Sequence, residues 1–309
     1  MMKRVAVIGL GTMGPGIAQR LARGGLVVTA FDTQDDQIEK AKAMLPLIAG
    51  ALDRLGITPQ PGGEVRFTAS LADAVKDADL VIENVPEKIE IKAEVYRALD
   101  GLIGPNTLVV SDTSGIPIST LQEHISHPER FCGMHWSNPP HIIPMIEVIS
   151  GAKTAPETAE AIVALIEELG LLPVVINKDV PGFVENRILY ALLREAIDLV
   201  EEGVIAPEAL DTCVSWGIGY KLSVIGPMAL LDVAGLDIYH SVASFLNREL
   251  SARADIAPFI TKRVDEKRLG LKTGGGVYAY TPERAKELIA ERARKLVAVR
   301  RALEERDPS

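Results

Sequence analysis

Along the first half of the chain, short runs of β-branched and other apolar residues alternate with stretches whose apolar positions recur every three or four residues. Val5 to Gly9 predicts a first strand and Val27 to Asp32 a second, and between them Ile17, Ala18, Leu21 and Ala22 fall on one helical face. Leu80 to Glu83, Leu108 to Ser111, Arg130 to Met134 and Met145 to Val148 predict further strands. Glu157 to Leu169 follows as a helix and Leu172 to Ile176 as one more strand. Apolar strands separated by amphipathic helices are what a parallel sheet covered on both faces requires, so the pattern predicts an α/β fold with a doubly wound, Rossmann-type sheet.

After Asp179 the cadence changes. Pro181 to Glu202 predicts one long helix with Val184, Ile188, Ala191, Leu192, Ala196 and Leu199 on its apolar stripe. Pro181 suits a first helical turn and Gly203 a terminus. Pro207 to Trp216, Pro227 to Gly235 and Ile238 to Leu250 continue as helices with little strand signal. The boundary is placed at Lys178, giving a nucleotide-binding domain over residues 1–178 and an all-helical C-terminal domain over 179–309. A last stretch, Pro282 to Asp307, carries Ala285, Leu288, Ile289, Leu296, Val299 and Leu303 on one face and many charges on the other. It predicts an appended helix with a solvated side.

Composition narrows the function classes. A formal charge of −9 argues against nucleic acid or an anionic membrane as the main partner, since both favour basic proteins. Cys132 and Cys213 are too few for a disulfide framework, which favours a reducing compartment. The apolar stretch near the start is too short for a signal-peptide core, and Pro227 and Asp232 break the most apolar later run. A cytoplasmic protein acting on a small molecule is the expectation.

Two constellations carry chemistry. Gly9-Leu10-Gly11-Thr12-Met13-Gly14 follows a predicted strand and opens a predicted helix, the context in which G-x-G-x-x-G binds a dinucleotide. Gly9 permits the tight turn, Gly11 lets the backbone approach a pyrophosphate, Gly14 allows close packing, and the helix N-terminus attracts the negative charge. Asp32, ending the second strand, suits a ribose 2′-hydroxyl and would repel a 2′-phosphate, so NAD is favoured over NADP. Downstream, Gly133-Met134-His135-Trp136-Ser137-Asn138-Pro139 is followed by Glu147, placing a His and a carboxylate at the ends of successive strands. Glu147 there would orient the imidazole and stabilise its protonated form while the other ring nitrogen exchanges a proton with substrate. On spacing alone a His135 satisfied by structural hydrogen bonds is the better reading, and His124, His127 and His240 are read the same way. No metal site is expected.

The chain resembles the 3-hydroxyacyl-CoA dehydrogenase family from end to end. The fingerprint, Ile82-Glu83-Asn84-Val85-Pro86-Glu87, Ser111-Asp112-Thr113-Ser114, His135 to Pro139 with Glu147, Pro181-Gly182-Phe183-Val184-Glu185-Asn186-Arg187, and Lys272-Thr273-Gly274-Gly275-Gly276-Val277-Tyr278 occur in the family's order. The resemblance implies an NAD-dependent dehydrogenase with His135 as general base in the oxidative direction, Glu147 as its partner, and Ser114 and Asn186 hydrogen-bonding the reacting oxygen. It also implies that Glu87, Lys92, Ser114, Asn138 and Lys272 surround the nicotinamide ribose, and that the helical domain serves substrate binding and a homodimer. Read without the family, Ser114 is a helix cap, Asn186 a solvated helix residue, and Lys92 a partner of Glu87 or Glu90 on a surface helix.

Departures from the family bear on substrate. Trp136-Ser137 stands where acyl-CoA members carry aromatic residues, and the insert from Ala43 to Pro59 has Arg54 as its only basic residue, poor equipment for several CoA phosphates. Pro139 to Pro144 adds His141, read as a candidate for a polar or anionic substrate or, as a lone His, as purely structural, and Gly219 to Pro227 is a longer turn carrying Lys221. Asp112 to Ile118, His135 to His141 and Cys213 to Lys221 resemble one branch of the family, which implies oxidation of a small aromatic aldehyde carboxylate in bacterial vitamin B6 degradation. The alternatives are a 3-hydroxybutyryl-CoA-type dehydrogenase and a non-catalytic nucleotide-binding protein.

Overall fold

Strand β1 (Arg4–Ile8) occupies the middle of the sheet because every residue after Arg4 is apolar and buried, as a strand covered on both faces must be. The computed structural model, which describes residues 2–305, places it in one eight-stranded sheet of order β3-β2-β1-β4-β5-β6-β7-β8. The other strands are β2 (Val27–Phe31), β3 (Glu64–Thr68), β4 (Leu80–Glu83), β5 (Leu108–Ser111), β6 (Phe131–Trp136), β7 (Met145–Ile149) and β8 (Leu172–Ile176). Helices α1 (Gly14–Arg23), α2 (Asp35–Arg54), α3 (Leu71–Val75), α4 (Ile89–Leu99), α5 (Ile118–Leu121) and α6 (Pro156–Glu168) lie between them. Alternation along β1 divides the core: Val5 and Val7 join Ile17, Leu21 and Val28 on one face, and Ala6 and Ile8 join Tyr96, Leu99 and Phe131 on the other.

Strand order reverses between β1 and β4, both of which are parallel to their neighbours, so a crevice opens at their carboxyl ends. The sheet is not parallel throughout as expected: β6 and β7 are antiparallel, joined by the loop from Ser137 to Pro144. Strand β3 was not anticipated. It is an edge strand with exposed Glu64 and Arg66 and only partly buried Val65 and Phe67, so its apolar signal is weak.

The chain divides into two compact units, Met1–Arg187 and Ile188–Ser309. Helix α7 runs from Glu185 to Glu201 rather than from Pro181, because Gly182 at φ 75° and Phe183 at φ 48° are in left-handed conformations that cannot belong to a right-handed helix. Its first turn falls in the first unit. The second unit is helical. Pro207–Cys213 continues through a π-helical stretch, Val214–Gly219, into Tyr220–Leu222, so the segment expected as a turn around Lys221 begins as helix. Helices Pro227–Ala234, Leu236–Leu246 and Pro258–Asp265 follow. The last helix is Pro282–Glu304, capped by the Thr281 hydroxyl accepting from the Arg284 N–H; Asp307, expected at its end, lies outside the described residues. Among the described residues no single helix is long and apolar enough to cross a membrane.

Candidate active site

The glycine fingerprint forms the turn from β1 into α1. Gly9 has φ 100°, and a Cβ there would stand 2.6 Å from the Asn84 carbonyl oxygen; one on Gly14 would stand 2.2 Å from the Gly9 carbonyl oxygen. These two glycines are required by the protein itself. Gly11 is different: a Cβ there would meet no protein atom within 4 Å, so its bareness keeps backbone open to a ligand, as the fingerprint's second glycine must. No side chain caps the start of α1, which leaves its first N–H groups for an anion. Asp32 ends β2 beside this loop, with Oδ2 accepting the Leu10 N–H at 2.9 Å and Oδ1 the Gln34 N–H at 3.0 Å. Each oxygen retains acceptor capacity for a ribose hydroxyl. Gly9 to Gly14 and Asp32 thus fit an NAD-binding loop.

His135 and Glu147 are direct cross-strand partners in the antiparallel β6–β7 pair, so both side chains leave the same face. His135 Nδ1 lies 2.8 Å from Glu147 Oε2, and both residues are buried. Glu147 sits at the centre of β7, not at its end. Its other oxygen accepts the N–H groups of Val184 and Glu185, each at 3.0 Å, at the entry to α7. Burial opposes charge on His135, but the hydrogen bond it donates to Glu147 and the charges of Asp112, Glu147 and Glu185 prevail, so its pKa is raised. Burial likewise pushes the Glu147 carboxyl up, and the His135 and backbone hydrogen bonds more than offset it, so its pKa is lowered. Phe183, fully buried, sets its ring 5.7 Å from the imidazole.

Four side chains were missed in the sequence: Asp112, Ser137 and Glu185 around this pair, and Glu83 beyond Asp112. Asp112, just beyond β5, accepts the Trp136 N–H at 2.8 Å, and burial pushes its carboxyl up to about 7 against that bond and the nearby His135. Ser137 donates to Glu185 Oε1 at 2.6 Å. Glu83, at the end of β4, is completely buried and takes bonds from Lys92, Tyr96, Ser111 and the Val85 N–H at 2.7–2.8 Å. The signal for Glu83 and Asp112 was a charge ending an apolar strand; Glu185 offered none.

Lys92 does pair with Glu87, its Nζ 3.4 Å from Oε2, but it does so from the buried face of α4: it is 1% exposed and also pairs with Glu83 at 2.8 Å. It stands behind Glu87 rather than at the surface of the site. Glu87 in turn accepts from the Thr113 hydroxyl and the N–H groups of Ser114 and Gly115 at 2.6–3.0 Å, fastening the loop after β5. Ser114 is exposed on that loop, and the Asn186 amide donates to the Ser114 carbonyl oxygen at 2.6 Å, joining the start of α7 to it. Asn186 keeps a second N–H. Ser114 is therefore not a helix cap, and Asn138 is exposed just past β6. Lys272 belongs to the second unit, exposed on the short turn Leu271–Thr273.

His141 does not present a cation. Burial and the Arg54 charge hold its pKa down to about 4, and its ring packs where a Cβ on Gly16 would stand 3.2 Å from Nδ1. An uncharged, partly buried imidazole is a poor anion site near neutral pH.

Comparison with known proteins agrees with this arrangement. Residues 4–180 match the 3-hydroxyacyl-CoA dehydrogenase NAD-binding domain and residues 182–280 the C-terminal domain of the same family. The chain is 66% identical to the 5-formyl-3-hydroxy-2-methylpyridine 4-carboxylate 5-dehydrogenase of Mesorhizobium japonicum, over 99% of this chain and all of that one. A crystal structure of an enzyme of that name, described as an NAD+-dependent dismutase, superposes with a TM-score of 0.97 over 99% of this chain and all of its own. A probable 3-hydroxybutyryl-CoA dehydrogenase of Deinococcus radiodurans is 36% identical over 90% of this chain and all of its own. The (S)-3-hydroxybutyryl-CoA dehydrogenase of Ralstonia eutropha, 34% identical, superposes with a TM-score of 0.72 over 91% of this chain and all of that one. With both domains matched in order and the NAD loop intact, the chain belongs to the 3-hydroxyacyl-CoA dehydrogenase family and is an NAD-dependent dehydrogenase.

Proposed function

We propose that the enzyme oxidises a small aromatic aldehyde carboxylate, 5-formyl-3-hydroxy-2-methylpyridine-4-carboxylate or a close analogue, to the dicarboxylate, as a step of bacterial vitamin B6 degradation. The observation that carries this reading is full-length identity of 66% to an enzyme named for that substrate, against 36% to a hydroxybutyryl-CoA relative. Local structure supports it. In α2 the Lys40 and Lys42 ammonium groups pair with Asp36 and Glu39 at 2.8 and 2.7 Å, which leaves the CoA phosphates of the rival reading few cations there.

NAD, when bound at the Gly9–Gly14 loop, accepts or returns the hydride. His135 is the general base, with Glu147 fixing its ring and stabilising its protonated form. Ser114 and the second N–H of Asn186 are the donors for charge developing on the carbonyl oxygen. Asp32 and Leu10, Thr12 and Met13 of the loop hold the adenosine side, and Glu87, Ser114 and Asn138 the nicotinamide side. Lys92 acts through Glu87. Run in reverse, the same groups reduce a carbonyl, so one aldehyde is oxidised and a second reduced on recycled cofactor.

We assign a homodimer, because the second unit leaves Trp216, Val224, Met228 and Val233 about three-quarters exposed, more apolar surface than a monomer ordinarily shows. A cytoplasmic, reducing setting suits its unpaired Cys132 and Cys213. The substrate assignment is tested by following NADH absorbance with the pyridine aldehyde, acetoacetyl-CoA and free hydroxy acids. Turnover of the aldehyde is expected. Rapid use of acetoacetyl-CoA with the aldehyde untouched would replace this reading by the CoA one.

A further inference from the structure

One carboxylate beside His135 has no place in the family's dyad. Glu185, the first residue of α7, is held from two sides: its N–H donates to Glu147 Oε1 at 3.0 Å, and its Oε1 accepts from the Ser137 hydroxyl at 2.6 Å. Its Oε2 is buried and has no hydrogen-bond partner among the described residues. Leaving a buried acceptor unsatisfied costs about 1–3 kcal/mol, more when it is charged, so such an atom is kept where water or a ligand completes it. A ring nitrogen of His135, an oxygen of Glu147 and an oxygen of Glu185 lie within 4.8 Å of one another. One bridging water spans such a gap with two bonds of about 2.8 Å. A cation is the weaker occupant, since both Glu147 oxygens already accept hydrogen bonds, from His135 on one side and from Val184 and Glu185 on the other.

We propose that Glu185, positioned by Ser137, is a second catalytic carboxylate that holds beside His135 the water adding to the aldehyde carbonyl. This rests on the aldehyde reading above and specifies what that reading demands, for an aldehyde becomes an acid only by gaining a water oxygen. The water oxygen bonds to the carbonyl carbon as one of its protons passes to His135 Nε2, and the carbonyl π pair becomes an alkoxide held by Ser114 and Asn186. That pair then re-forms the C=O bond as the C–H electrons leave as hydride to the nicotinamide. The product acid gives its proton to Glu185 Oε2; that proton and the one held by His135 are released to water as the carboxylate leaves, or the His135 proton is used when a second aldehyde is reduced. Reduction of the same aldehyde needs hydride and the His135 proton but no water, so Glu185 enters the chemistry of oxidation alone and touches reduction only through its share of the charge that supports protonated His135.

The test uses the full-length enzyme with the pyridine aldehyde, measuring acid formed with NAD+ and alcohol formed with NADH in separate reactions, the first in ¹⁸O-labelled water. Wild type is expected to form both products, with the label in the acid. Glu185→Gln should lower acid formation about 10²-fold while alcohol formation, followed at a pH low enough to keep His135 protonated in both proteins, changes by no more than about threefold. Ser137→Ala should shift the ratio the same way by roughly tenfold, and it carries the test if Glu185→Gln fails to fold. Parallel loss of both rates, or loss of neither, overturns the assignment of Glu185. So does loss of turnover on chelation with recovery on adding zinc or magnesium, which would make the cluster a metal site. A wild-type enzyme that forms neither product overturns the aldehyde reading itself, and this proposal with it.

Discussion

His135 and Glu147 stand opposite each other in the register of an antiparallel strand pair, with Nδ1 and Oε2 2.8 Å apart. Replacing Glu147 by Gln keeps the shape and removes the charge that raises the His135 pKa. Oxidation requires an uncharged His135, so the acid limb of the kcat/KM profile should move to lower pH, with turnover reduced about 10²-fold or more. A limb that stays in place would show that Glu147 does not tune the base. The stability effect has its own window. The lowered Glu147 pKa gives stability present above its ordinary value of 4.5, and the raised His135 pKa gives stability present below its ordinary 6.5. The Tm gap between wild type and variant should be largest between these values and should shrink as pH rises through the folded-state pKa of His135.

His135→Ala separates binding from chemistry. NADH should bind with nearly unchanged affinity by fluorescence titration, while turnover falls by about 10²–10⁴-fold. Unchanged turnover would remove His135 from the mechanism.

The glycines of the fingerprint should part company. Gly11→Ala meets no protein atom within 4 Å, so its Tm should hold while NADH affinity falls roughly tenfold, about 1.4 kcal/mol. Gly14→Ala drives a Cβ to 2.2 Å from the Gly9 carbonyl oxygen and should lower the melting temperature before any ligand is added. Equal thermal losses in the two variants would contradict this division.

Lys92→Met should cost about 3–5 kcal/mol in denaturant titrations, because it strands the buried Glu83 carboxylate without its cation. Adding Glu83→Gln should recover a large part of that loss. If Lys92→Met instead leaves stability intact and weakens only NADH binding, Lys92 touches the cofactor directly.

Trp216→Asp places a charge in the exposed apolar surface of the second unit, and light scattering should then report a monomer where wild type gives a dimer. A wild-type monomer would refute the assembly outright.

Much of the first unit is legible from residue order. The strands that were anticipated are those with uninterrupted apolar runs, most of them buried on both faces and one, β8, an edge strand that is apolar though Leu172, Val174 and Val175 are exposed, and the glycine loop announces itself because glycine spacing maps onto backbone geometry. Strand β3 escaped because an edge strand need not be apolar. The start of α7 was placed four residues early, at Pro181 and not Glu185, since helical periodicity cannot register that Gly182 and Phe183 turn left-handed. The dyad was visible as two residue types in sequence, but its geometry depends on β6 and β7 being antiparallel. The pairing of Lys92 with Glu83 was not read because nothing local shows that Glu83, nine positions earlier, points under the same helix. Glu185 was invisible for a related reason: a glutamate at a helix start is ordinary until its neighbours across the fold are known.

The first turn of α7 is fastened to the sheet by four hydrogen bonds: two from the backbone at 184 and 185 to Glu147, one from Ser137 to Glu185, and one from Asn186 to Ser114. Because the boundary between the units falls after this turn, at Arg187, every group assigned to proton handling belongs to a single folding unit. The acid–base apparatus is therefore heritable as one piece. Sequence beyond Arg187 is free to diverge without the proton chemistry having to be reinvented each time.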